Sequence, residues 1–225
     1  MNETLYLISA AIIPVVLAIT VHEVAHGFVA RQHGDDTAAR AGRLTLNPLR
    51  HVDPFGTVLL PGILLLTGLP PFGFAKPVPV NFMNLENPKR DMVWVAAAGP
   101  AVNLFMAIGW AILSNLGAYM SGDLQIWFAD MAQIGIAANV VLMVFNMIPL
   151  PPLDGGRVAV GLLPHALARP LAQTERYGLL IIFGLLLVPS LINAAFGTNW
   201  HPVWAIIQPV VKFLYTAIDK MFLFV

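Results

Sequence analysis

The sequence predicts an all-α polytopic membrane protein, with about five transmembrane helices, a re-entrant apolar segment and a short membrane-associated β element. Three observations lead to that class. Of the 225 residues, 58% are hydrophobic and only 11% charged, and mean hydropathy is +0.76; a soluble domain carries about 25% charged residues. Apolar runs close to the ~20 residues needed to cross a bilayer recur along the chain. The charged residues fall almost wholly between those runs. A formal net charge of zero offers no broadly basic surface and argues against a nucleic-acid partner. The absence of cysteine leaves His, Asp, Glu and water as the possible metal ligands. Residues 1–225 are expected to form a single domain.

The first span is read over residues 5–29, with a bend expected at Pro14. No basic residue precedes it and its apolar run continues to Val29, unlike a cleavable signal. A polar, basic stretch follows from Arg31 to His51. Residues 57–68, TVLLPGILLLTG, contain Pro61-Gly62 and are too short for an ordinary span. They read as re-entrant or interfacial, since irregular backbone at membrane depth must be buried or line a cavity. KPVPV at residues 76–80 suggests an extended edge strand, because proline suits strand edges only.

The second span is expected over residues 92–117, where Ala96, Ala97, Ala98, Gly99 and Ala101 permit close helix approach. Asn103 is a lone amide within it. The third span, residues 126–148, ends in NMIPLPPLDGGR, whose prolines stop the helix. Asp154 is therefore expected on non-helical backbone, before a short helix at residues 156–165. Residues 177–196 and 203–222 complete the five, the last interrupted by Pro209, Lys212, Asp219 and Lys220.

Orientation follows from the basic residues. The segments expected outside, residues 1–4, 118–125 and 197–202, contain neither Lys nor Arg. Arg31, Arg40, Arg43, Arg50, Lys76, Lys89, Arg90, Arg157, Arg169, Arg176 and Lys220 are assigned to the opposite side, which the positive-inside rule makes cytoplasmic. The N-terminus is then outside in a multi-pass cell-membrane protein. The bookkeeping holds only if residues 57–68 do not cross.

Chemistry concentrates in TVHEVAHG, residues 20–27. His22 and His26 stand one helical turn apart on one face, so both imidazoles can reach one metal ion. Glu23 can act on water at that metal as a proton carrier. Ionisable groups inside an apolar span are costly and read as functional. The topology puts Asp154 at similar depth, at the cytoplasmic end of the third span. A zinc hydrolase typically has three protein ligands and a fourth, open position, so Asp154 supplies the missing one. An aspartate before Gly155-Gly156 also suits a plain turn. His51 and Asp53 read as loop-stabilising, since Asp before Pro commonly initiates a turn.

HEVAHG, AAAGPAVN and NMIPLPPLDGGR, in that order on successive spans, resemble the site-2 protease family of intramembrane zinc metalloproteases. NPLRHVDPFG and GFAKPVPVN further resemble its compact bacterial branch, which lacks PDZ and CBS domains. The resemblance implies cleavage of a peptide bond within or next to a transmembrane helix of a membrane-protein substrate in the bilayer. It implies one Zn2+ held by His22, His26 and Asp154, with Glu23 as general base. Asn103 and Asn146 match family positions that handle the substrate or transition state. Lys76, Pro77 and Val78 are expected to hold the unwound substrate by strand addition. The alternative is a metal-binding or metal-transporting membrane protein without peptidase activity. A transporter needs polar residues along a path through both faces, and the outer halves of these spans are nearly bare of them.

Overall fold

The computed structural model describes residues 2–68 and 73–222, and its regular elements there are helices. Helix α1 (Glu3–Gln32) is continuous through Pro14. Two short helices follow, α2 (Thr37–Arg40) and α3 (Leu60–Leu66), the latter entered through a single π-helical turn at Pro54–Leu59. Then come α4 (Pro88–Ser114), α5 (Gly122–Asn146), α6 (Asp154–Leu162), α7 (His165–Gln173), α8 (Gly178–Phe196) and α9 (Pro202–Phe222).

Among the described residues, four stretches are long and apolar enough to cross a membrane: Leu5–Gln32, Pro88–Tyr119, Gly122–Asn146 and His165–Phe196. The apolar segment Pro54–Leu66 is too short to be among them, in keeping with the expectation that it does not cross.

The fifth expected span differs. Helix α9 forms over the expected residues but falls outside the four, because Gln208, Lys212, Asp219 and Lys220 interrupt its apolar surface. One face packs on α4 and α5 through buried Ile207 and Ile218. Its last turn meets the far end of α4, where Asn115 Nδ2 donates to the Phe222 carbonyl at 2.8 Å. Asn115 lies about 24 Å along α4 from Gly99. Lys220 therefore sits at the opposite end of the bundle from the other mapped basic residues, not beside them as expected.

The expected β element also differs. No strand occurs among the described residues, and residues 73–81 have no regular secondary structure. Pro77 and Pro79 have no N–H to offer, and the neighbouring donors are spent elsewhere. Lys76 N–H donates to His51 O at 2.9 Å, and Val78 N–H to a side chain of α1.

The core is the three-helix contact of α1, α4 and α5. Ala10, Ala107, Ala111 and Ala132 are fully buried there, with Ile136 and Val140 filling the space between. Small side chains are what let helices close on one another when no water drives them together. Gly135 shows the tolerance: a Cβ there would lie 2.5 Å from the Trp110 indole. Helix α8 is barely buried, in contrast, and presents Leu179, Leu180, Leu185 and Leu191 outward.

Candidate metal centre

Helix α1 carries His22 and His26 on the face turned to α4, and both are buried. The contact is close because residue 99 is glycine. A Cβ there would lie 2.4 Å from His26 Nε2 and 2.6 Å from His22 Nε2. Asp154 is the first residue of α6, two residues earlier than the helix start expected from the sequence. The two glycines after it explain the difference. Gly155 lies against the Met147 carbonyl and Gly156 against Pro151 N, each where a Cβ would sit 2.2 Å away. The chain can thus turn into α6 directly beneath the proline loop and deliver Asp154, itself buried, to the imidazoles.

His22 Nε2 and His26 Nε2 lie 3.1 Å apart, and Asp154 Oδ2 is 3.2 Å from the first and 3.4 Å from the second. The protons are placed by what stands behind each ring. His26 Nδ1 lies 2.7 Å from the Val95 carbonyl, which can only accept. His22 Nδ1 lies 2.5 Å from Asn103 Oδ1. Each neutral ring therefore carries its proton on Nδ1 and turns a lone pair on Nε2 toward Asp154.

These donors fit a zinc ion. Asp154 Oδ2 is buried and makes no hydrogen bond, so three lone-pair atoms converge with no proton among them. Such an arrangement is repulsive unless a cation lies at its centre. A tetrahedral ion with bonds of about 2.0–2.1 Å separates its ligand atoms by about 3.3 Å, which the three observed separations bracket. Among the described residues, His22, His26 and Asp154 are the group with metal-holding geometry.

Glu23 is half-buried beside this cluster, and its Oε2 accepts from Val78 N–H at 2.7 Å. Both line a cavity of about 460 Å³ with His22, His26, Asp154 and Asn146. Pro77 and Val78 form part of its wall, whereas Lys76 is exposed and does not line it. Arg43 holds the start of that segment, donating to Lys76 O at 2.7 Å. Asp35 holds its end, accepting from Asn81 N–H at 2.8 Å. Arg157 and Glu175 close the rim with a 2.9 Å ion pair, the guanidinium lying over the Phe82 ring.

Other expected residues fall differently. Asn103 does not reach the cavity: it is fully buried behind His22, with its amide engaged by Ala18 O and Asn139. Asn146 Nδ2 donates to its own helix at Leu142 O. His51 and Asp53, by contrast, serve the loop as expected. His51 Nε2 is 2.9 Å from Thr45 O, and Asp53 Oδ1 caps the turn at Phe55 and Gly56. Three residues carry no expected role in the sequence, Asn139 and the Arg157–Glu175 pair. Asn139 carried a signal, being a polar side chain in the middle of an apolar helix; the pair carried none.

A His–His–Asp cluster with a carboxylate beside it, enclosed by helices of membrane-crossing length, is the arrangement of a membrane metallohydrolase. The comparisons agree. Residues 120–189, which include Asp154, match the family model "Peptidase family M50". Over 210 residues the chain is 39% identical to "Putative zinc metalloprotease YwhC" of Bacillus subtilis, covering 88% of this chain and 93% of that protein. It is 32% identical over 177 residues to Rip2 of Mycolicibacterium smegmatis, which carries the same designation, covering 78% of this chain and 65% of Rip2. No solved structure gives a significant match. The chain belongs to Peptidase family M50, the site-2 protease family, and is a membrane zinc metalloprotease.

Proposed function

We propose that the protein hydrolyses a peptide bond within or next to a transmembrane helix of a membrane-protein substrate, with His22, His26 and Asp154 as zinc ligands and Glu23 as general base. The observation that carries this is the convergence of three lone-pair atoms beside a carboxylate, inside a helical bundle with a cavity on the same side. Bound zinc supplies Lewis acidity, polarising the scissile carbonyl and acidifying water.

The remaining work belongs to the chain. Val78 N–H fixes Glu23 Oε2, which leaves Oε1 to take a proton from water and hand it to the leaving amine nitrogen. The apolar cavity wall of Phe74, Pro77, Val78 and Val95 excludes bulk water from around the bond. A substrate helix hides its backbone groups, so it must unwind locally, and the carbonyls of residues 77–80 would accept from its freed N–H groups. Asn146 lines the same cavity, and its side chain would contact the unwound chain there. Ten of the twelve Lys and Arg residues, all but Lys212 and Lys220, belong to the segments assigned to the site's end of the bundle. By the positive-inside rule that end faces the cytoplasm, which supplies the water.

Cleavage of a reconstituted transmembrane-helix reporter tests the reading. Glu23→Gln is expected to keep stoichiometric zinc while cleavage falls about 10²–10⁴-fold; undiminished cleavage removes Glu23 as the base. Asp154→Ala is expected to lose zinc, and full occupancy in that variant removes Asp154 from the ligand set.

A further inference from the structure

Asn139, in the middle of α5, is fully buried and touches neither the cavity nor a ligand atom. Its contacts form a directed chain. Asn139 Nδ2 donates to the Gly135 carbonyl at 2.8 Å, one turn back on its own helix. A carbonyl only accepts, so the other end of the amide, Oδ1, must face α4. There it accepts from Asn103 Nδ2 at 2.8 Å. Asn103 Nδ2 also donates to Ala18 O on α1, at a longer 3.3 Å. Those two acceptors turn Asn103 Oδ1 toward His22 Nδ1, 2.5 Å away. Swapping oxygen and nitrogen at either amide would set acceptor against acceptor, so only one sense of the chain satisfies every group. Gly135 is part of the construction, since its missing Cβ lets α5 close on Trp110 of α4.

We infer that Asn139 is a positioning residue for the metal site: acting through Asn103, it dictates which nitrogen of His22 carries the proton, and so holds Nε2 unprotonated for zinc. This rests on His22 being a zinc ligand. Asn103 accepts the proton of His22 Nδ1, but Asn103 alone is held in that sense by one long bond to Ala18 O. Asn139 supplies the shorter of the two bonds that keep the amide from reversing. Reversal would present Nδ2 to His22, draw the lone pair to Nδ1 and place the proton on Nε2, where the metal belongs. Partners behind a ligating histidine typically set metal affinity by about 10–100-fold. The asparagine pair thereby carries information from α5 to a ligand on α1.

The test uses the full chain in detergent, with Zn2+ affinity from chelator competition and 15N-histidine NMR of the zinc-free protein. Asn139→Leu is expected to weaken Zn2+ about tenfold and to shift His22 toward the Nε2–H tautomer. Asn139→Asp, which keeps an acceptor toward Asn103, is expected to restore affinity to within about threefold of wild type. If the effect passes through Asn103, Asn103→Leu/Asn139→Leu binds zinc no more weakly than Asn103→Leu alone. Tyr6→Phe breaks another α1–α5 link, the 2.6 Å bond to Asp130, and is expected to leave zinc affinity unchanged. Wild-type affinity and tautomer in Asn139→Leu overturn the inference, as does an equal loss in Tyr6→Phe. Should Asn139→Leu not fold, failed rescue by folded Asn139→Asp overturns it as well. Full zinc binding by His22→Ala would instead overturn the ligand assignment on which the inference stands.

Discussion

Gly99→Ala places one methyl group at the most crowded point of the site. The added Cβ would lie 2.4 Å from His26 Nε2 and 2.6 Å from His22 Cε1 and Nε2. Non-bonded heavy atoms settle at about 3.5 Å or more, so roughly 1 Å must be recovered by parting α1 from α4 or by turning the rings. A zinc site tolerates ligand displacements of about 0.2 Å, a fifth of that movement. Zinc affinity is therefore expected to fall at least about 100-fold, or about 2.7 kcal/mol. Folding should suffer less. Overpacking costs about 1–3 kcal/mol, and replacing a mid-helix glycine by alanine returns about 0.5–1 kcal/mol. The assay is zinc content and chelator competition in detergent, beside thermal melting of the zinc-free forms. Gly109→Ala is the control on the same helix, with nothing within 4 Å of its Cβ. It should keep zinc and melt no lower. A Gly99→Ala protein with zinc affinity within about threefold of wild type would refute the close-approach argument.

Three further outcomes follow from the surrounding contacts. Val78→Pro removes the N–H that holds Glu23 Oε2, and turnover of the helix reporter should fall about tenfold with zinc retained; unchanged turnover would show that the bond does not orient the base. Gly155→Ala would set a Cβ 2.2 Å from the Met147 carbonyl and 2.7 Å from Ile148 O, so α6 must shift and carry Asp154 with it; weakened zinc is expected, and an unaltered affinity counts against that coupling. Asp35 lies outside the spans and is fully buried; burial opposes its ionisation, but donors from Thr37, Asn84 and Asn81 outweigh this and lower its pKa from 3.8. Because the folded value is the lower one, its contribution is complete above about pH 3.8 and is lost as pH falls below. Asp35→Asn should flatten the melting-temperature profile in that acid window and cost about 1.5–3 kcal/mol above it, whereas an unchanged acid limb would exclude Asp35 as its source.

Much of this organisation is legible in the residues themselves. His22 and His26 have to share a helix face because 3.6 residues make a turn, and an apolar run of membrane length leaves few other conformations. Proline and glycine around residues 54–68 mark the segment too short to cross. What could not be read is whatever depends on where a backbone lies in three dimensions. Nothing local distinguishes Asn103 pointing into a cavity from Asn103 pointing at the back of a ring; its neighbours Ala18 and Asn139 decide it, 85 and 36 positions away. The end of the bundle on which α9 finishes shows likewise only in its contact with Asn115, remote in sequence. KPVPV reads as strand from its residue types, yet its free donors go to His51 and Glu23, partners that no alternation pattern reveals.

The glycines connect these points into one constraint. Zinc demands three ligand atoms about 3.3 Å apart, yet here they come from two helices, with a third pressed against the imidazoles. Side chains as short as aspartate and histidine reach one another only if the backbones carrying them nearly touch. Gly99 brings α4 against both imidazoles, and Gly155 and Gly156 bring the start of α6 beneath residues 147–151. Gly178 then seats α8 on Pro152, where a Cβ would lie 2.1 Å from the ring. Each of these approaches excludes even a methyl group. The small residues that let helices associate in lipid are thus also what sets the ligand spacing, so the packing of this bundle and its affinity for metal cannot vary independently.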